Sequence, residues 1–78
     1  MNTENISKVR LGSTVKIRLK SGEIKIYTVV DSSHTDPPNG FISNTCPIGQ
    51  ALLGSTVGEK KSYEINGNVF EVEVVEIA

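Results

Sequence analysis

The closing stretch YEINGNVFEVEVVEI, Tyr63 to Ile77, constrains the fold most. Asn66-Gly67 lies between two runs of alternating apolar and polar residues. A two-residue Asn-Gly link tolerates positive φ at both positions, so it predicts a β-hairpin with a type I′ turn. One arm is a strand over Lys61 to Ile65, with Tyr63 and Ile65 on one face. The other runs from Asn68 to Ile77, with Phe70, Val72 and Val74 inward and Glu71 and Glu73 outward. Val74-Val75 breaks the alternation and predicts either a bulge or burial on both faces.

The same period of two appears earlier. Val15, Ile17 and Leu19 alternate with Lys16, Arg18 and Lys20, which marks a half-buried strand. Ser21-Gly22 signals a hairpin, and alternation resumes with Ile24, Ile26 and Thr28 against Lys25, Tyr27 and Val29. Asp31 to Gly40, DSSHTDPPNG, is all turn chemistry: Asp and Ser bond their own backbone, and Pro37 and Pro38 fix φ. It reads as a shaped loop, and such loops often carry binding function. Phe41 to Asn44 is a short strand.

Pro47 then suits the first position of a helix, because its missing N–H has no partner there in any case. Thr45 or Cys46 takes the cap, and Ile48, Ala51 and Leu52 share one face. Gly54 supplies a left-handed stop. This helix, Pro47 to Leu53, is too short to stand alone and must pack on the sheet. The expected fold is α+β: a curved, mostly antiparallel sheet of about five strands with one short helix. Ile48, Leu52, Val15, Ile17, Val72 and Val74 are its expected core. Residues 1–8 are polar and expected to fray, leaving one domain over 9–78.

With 78 residues and a net charge of −1, the chain has room for one small domain and lacks the charge of a dedicated nucleic-acid binder. Lys8, Arg10, Lys16, Arg18, Lys20 and Lys25 gather early, while Glu71, Glu73 and Glu76 come late. Cross-strand charge pairing on a solvated face explains this better than a phosphate-facing patch. No apolar run approaches a membrane span or a signal sequence, so a cytoplasmic location with no membrane partner is expected. With one cysteine, Cys46, no internal disulfide can form, and His34 and Cys46 lack metal-ligand spacing. No cofactor or metal site is expected.

Ser43, Cys46 and His34 are the residues from which a nucleophile and base would be drawn, but nothing is placed to orient the histidine. No catalytic residue is assigned. Gly49 to Gly54 is followed by Ser55 and Thr56 without a lysine, so it is not a phosphate loop. What remains is the segment from the proline loop to the helix start. It is either chain routing or a docking edge.

The stretch DPPNGFISNTCPIGQALLGSTVGE resembles the C-terminal domain of the bacterial GreA/GreB transcript-cleavage factors. That family reads I-S-x-x-S-P-(L/I)-(G/A)-x-A-L-(I/L)-G-K-x-V-G-D. Here Ile42-Ser43, Pro47-Ile48-Gly49, Ala51-Leu52-Leu53-Gly54 and Val57-Gly58-Glu59 stand in those places. VRLGSTVKI, from Val9, resembles the family's opening strand. Cys46 replaces the motif's serine, Ser55 its lysine, and His34-Thr35-Asp36 its loop E-A-D.

The resemblance implies an FKBP-like fold and RNA polymerase as partner, met at the rim of the secondary channel on its largest subunit. It implies a docking edge of Asp36, Pro37, Pro38, Ile42, Ser43, Cys46, Pro47 and Ile48. Family members also carry an N-terminal coiled coil with acidic residues at its tip. Fewer than a dozen residues precede Gly12 here, and they hold no heptads and no acidic pair at a helical turn. The expected function is therefore polymerase docking by a monomer without stimulation of transcript cleavage. The alternatives are an FKBP-like prolyl isomerase, a general protein-interaction domain, and a regulator of the Rnk type.

Overall fold

The computed structural model describes residues 8–78. The expected frayed segment 1–8 thus lies, apart from Lys8, outside the described residues. Five strands form one sheet: β1 Thr14–Leu19, β2 Ile24–Val30, β3 Phe41–Ser43, β4 Lys60–Ile65 and β5 Asn68–Ile77. Their order is β3-β2-β1-β5-β4. The sheet curls into a half-barrel, and helix α1, Pro47–Leu52, packs beside β4.

The hairpin forms as its turn residues dictate. Asn66 and Gly67 have φ of 51° and 83°, the double positive φ of a type I′ turn. β4 and β5 pair from Ile65↔Asn68 to Lys60↔Glu73. The break at Val74-Val75 is a bulge: Ile17 pairs with Val74 but Lys16 with Glu76, leaving Val75 as the extra residue. The bulge shifts the phase of the strand, so Ile77 packs against the core while Glu76 faces solvent.

Three features depart from the alternation read in the sequence. The isoleucines of β2 point outward, Ile24 and Ile26 being 44% and 57% exposed. The pairing Val15↔Tyr27 and Ile17↔Lys25 imposes this, since paired residues share a face and Val15 and Ile17 are fully buried. Phe70, expected inward, is 44% exposed. The pairing of β1 with β5 ends at Leu19↔Val72, so Phe70 lies past the cover of β1 and stacks on Tyr63 at 5.4 Å between ring centroids. Finally, β3 runs parallel to β2, so the sheet is mixed. The loop from Asp31 to Gly40 is long enough to return the chain, which a tight turn is not.

The core comprises Val9, Val15, Ile17, Val29, Ile42, Leu52, Val72 and Val74, with Ile48 partly buried against it. The expected members are all in or beside it. Leu52, fully buried, brings α1 onto the sheet. The helix can approach because residue 49 is glycine: a Cβ there would sit 2.0 Å from the carbonyl oxygen of Ser43, at the end of β3. Gly54, φ 81°, ends α1, and its N–H donates to the Val9 carbonyl at 2.8 Å. Val9 N–H donates in turn to Ser55, which ties the N-terminal stretch to the helix end.

Gly49 yields a test in which two effects have opposite signs. By helix propensity alone, Gly49→Ala stabilises by about 1 kcal/mol. The overlap with backbone reverses this, at the upper end of the roughly 1–3 kcal/mol typical of overpacking. Thermal melts are expected to show a fall of more than roughly 10 °C. A rise in melting temperature would mean that α1 does not rest on the end of β3.

Candidate functional site

The loop between β2 and β3 is a fixed structure. At its entry, Asp31 Oδ1 accepts from the Ser33 N–H at 3.0 Å and the Ser33 hydroxyl at 2.7 Å, and it lies 2.6 Å from His34 Nδ1. These bonds, Ser33 first and His34 next, hold the Asp31 carboxyl below its ordinary pKa. At its exit, Asp36 and Phe41 exchange backbone bonds of 2.8 and 3.1 Å around a 3₁₀ turn, Pro37–Asn39. Asn39 donates its side-chain amide to Asp36 Oδ2 at 2.8 Å. Gly40, φ 85°, closes the turn with its N–H on the Pro37 carbonyl at 3.0 Å.

Beyond β3 the chain turns into α1. Ser43 Oγ accepts from the Thr45 N–H at 3.0 Å and bonds its hydroxyl at 2.7 Å. Cys46, not Thr45, is the helix cap: its Sγ accepts from the Gly49 N–H at 3.4 Å. Pro47 follows as the first helical residue and is exposed.

Of the eight residues that the resemblance implies for a docking edge, Asp36, Pro37, Pro38 and Pro47 are exposed. Ser43, Cys46 and Ile48 are half-buried. Ile42 is 8% exposed and belongs to the core. It occupies the inward position opposite Val29, so it supports the edge from beneath and offers no side chain to a partner.

Two depressions flank α1 and the hairpin, and Tyr63 lines both. One, of about 440 Å³, lies between α1 and β4, with Thr45, Pro47 and Gln50 facing Ser62, Tyr63 and Glu64. The other, of about 380 Å³, is the apolar mouth of the half-barrel, lined by Leu19, Tyr27, Tyr63, Val69 and Phe70 with Lys20 and Glu71 at its rim. Burial, and then the nearby Tyr27 and Cys46, push the Tyr63 hydroxyl above its ordinary pKa. The mouth escaped the sequence reading because its residues come from four strands or their ends. The chain holds only four aromatic residues, Tyr27, Phe41, Tyr63 and Phe70, which counts against an aromatic-lined pocket in the sequence, yet three of the four line the mouth.

His34 does not reach Ser43 or Cys46 in the hydrogen-bond pattern. Asp31 and Ser33 both meet the same ring nitrogen, Nδ1. An acid–base relay uses the two ring nitrogens for different partners. The charges on the outer face pair across strands, with Lys16–Glu76 at 3.3 Å and Arg18–Glu73 at 3.2 Å, as the charge pattern predicts. Among the described residues, no helix is long and apolar enough to cross a membrane.

Comparison with known proteins bears on this geometry directly. A family model described as transcription elongation factor GreA/GreB, C-terminal, matches residues 3–78. The chain belongs to the GreA/GreB family. Transcription elongation factor GreA of Bacillus anthracis is 39% identical over 77 residues, covering 97% of this chain and 49% of that protein. The Shouchella clausii GreA is 44% identical over 70 residues, covering 88% and 44%. The chain thus spans about half the length of these GreA relatives. Among solved structures, GreA factor homolog 1 of Thermus thermophilus superposes with a TM-score of 0.81 at 30% identity, over all of this chain and 53% of that one. A GreA/GreB factor from Nitrosomonas europaea gives 0.75 at 32%, over all of this chain and 68% of that one. The fold is that of a Gre-factor C-terminal domain.

The Asp31 cluster gives a pH test. A carboxyl with a lowered folded pKa contributes stability above its unfolded pKa and loses it as pH falls through the folded value. The Ser33 amide resonance is therefore expected to titrate with a midpoint below that of an ordinary aspartate. A midpoint at or above the ordinary value would mean that Asp31 does not hold the loop entry.

Proposed function

We propose that this chain is a polymerase-docking module of transcription elongation. It seats on RNA polymerase at the rim of the secondary channel, on the largest subunit, and does so as a monomer in the bacterial cytoplasm. The observation that carries this reading is the exposure, in a Gre-family domain, of Asp36, Pro37 and Pro38 on the fixed loop between β2 and β3 and of Pro47 at the start of α1. The domain boundary of this module falls near Val9, whose backbone joins the end of α1.

The physics of the edge suits a protein partner. Pro37 and Pro38 present rigid apolar surface that loses little entropy on binding. Asp36 keeps Oδ1 for a charge-assisted bond while Asn39 fixes its other oxygen. The depression beside Pro47 and the apolar mouth share Tyr63 in their lining, so a partner that meets Pro47 can also bury an apolar group against Tyr63.

Asp36→Ala is expected to weaken polymerase binding by about 1–3 kcal/mol and to leave the fold intact. The folded loop keeps its backbone bridge, because the exchange with Phe41 uses main-chain atoms. Glu73→Ala, on the outer face beside Arg18, serves as the control and should bind as the parent does. Equal binding by all three chains would place the docking surface elsewhere. No binding by the parent would end the polymerase reading.

The module acts on the polymerase without chemistry of its own. Among the described residues the α-helix α1 has six residues, too few to carry acidic groups to a distant active site. Added to a backtracked polymerase complex, the chain is expected to leave the rate of transcript cleavage at its basal value. Cleavage stimulated by a stoichiometric amount of pure chain would overturn this part of the reading.

A further inference from the structure

Two Asn-Gly pairs occur in the chain, Asn39-Gly40 and Asn66-Gly67. Glycine after asparagine leaves the next backbone nitrogen unshielded by a Cβ, so that nitrogen can reach the asparagine amide carbon. The two pairs have the same local chemistry and opposite surroundings. We infer that Asn66, at the tip of the β4–β5 hairpin, is a site of spontaneous deamidation through a succinimide, and that Asn39 is protected from the same reaction.

Around Asn39 both reacting groups are held. The side-chain amide donates to Asp36 Oδ2 at 2.8 Å, and the Asn39 N–H donates to the Asp36 carbonyl at 2.9 Å. The would-be nucleophile, Gly40 N, donates to the Pro37 carbonyl at 3.0 Å. The Gly40 carbonyl accepts from the Thr28 N–H at 2.7 Å, and a Cβ on Gly40 would lie 3.0 Å from the Ile26 carbonyl oxygen. Rotating this peptide toward attack breaks several bonds at once.

Asn66 has none of these restraints. Among the described residues, neither its side-chain amide nor the Gly67 N–H has a hydrogen-bond partner in the protein. Apart from Gly67 itself and its two chain neighbours, no atom lies within 4 Å of where a Gly67 Cβ would be. Asn66 is also the one non-glycine residue with positive φ among the described residues, a conformation asparagine adopts more readily than most side chains. The flanking Ile65 and Val69 are 41% and 66% exposed, and little apolar burial holds the tip closed.

In the reaction, Gly67 N loses its proton and attacks Asn66 Cγ. The N–Cγ bond forms, the Cγ–Nδ2 bond breaks, and ammonia leaves. Water then opens the cyclic imide at either carbonyl, giving aspartate or isoaspartate. Each product adds a negative charge beside the apolar mouth. Isoaspartate also lengthens the main chain by a methylene in a turn of two residues, which cannot keep its type I′ geometry.

The test is peptide mapping by mass spectrometry of the intact chain held in mildly alkaline buffer, with a parallel sample in denaturant. In the folded chain, conversion at Asn66 is expected several-fold faster than at Asn39, with isoaspartate as the larger product. In denaturant the two rates should converge. Asp36→Ala, which frees the Asn39 amide, should raise the rate at Asn39 alone. Folded-state conversion at Asn39 as fast as at Asn66 would overturn the inference. So would a rate difference that persists in denaturant, or a folded Asn66 that stays intact while the denatured chain reacts.

Discussion

The close approach of Gly49 to the carbonyl of Ser43 sets the position of helix α1 against the sheet. A six-residue helix has no independent stability, so its place depends on what it can touch. Without a Cβ at residue 49, α1 closes onto the end of β3. That approach drops Leu52 into the core among strands β1, β2 and β5. It also leaves Pro47 exposed beside Tyr63 and brings Cys46 within electrostatic reach of the Tyr63 hydroxyl.

The two faces of the sheet divide the work. On the outer face, Lys16, Arg18, Glu73 and Glu76 pair across β1 and β5. Exposed pairs of this kind are worth little in stability, about 0–1 kcal/mol each. Their main effect is to leave the face without a strong field for nucleic acid. On the inner face, apolar residues fill the half-barrel and run out at Tyr63 and Phe70, where β1 no longer covers β5. The mouth is thus a consequence of unequal strand lengths: β1 has six residues and β5 has ten. An apolar patch produced in this way gathers exposed apolar area in one place, which single scattered residues do not.

Much of this was legible along the chain. Asn66-Gly67 gave the hairpin because it acts through its own backbone conformation, while Val74-Val75 left a bulge and two-sided burial open until the pairing with β1 decided for the bulge. Pro47 and Gly54 bounded the helix to within one residue for the same reason. The misses were all decisions made by partners distant in sequence. Ile24 and Ile26 look like core residues, and Tyr27 and Val29 differ from them only by a register that β1 imposes. Ile42 reads as part of an exposed edge until β2 turns it inward. Phe70 reads as core until β1 ends too soon to cover it. The mouth could not be read at all, since its lining comes from both hairpins. At the candidate edge, the residue types were legible, but the clamp of Asn39 on Asp36 required the folded loop.

Amide hydrogen exchange on the chain with and without RNA polymerase tests the docking account most directly. It reads every backbone segment at once and needs no substitution. The account predicts slower exchange on binding at Asp36 and Asn39 to Asn44, around the Cys46–Pro47 corner, and at Tyr63 and Phe70. Exchange along the outer-facing residues Lys16, Arg18 and Glu73 should be unchanged. Protection confined to that outer face, with the loop and the mouth exchanging as in the free chain, would contradict it.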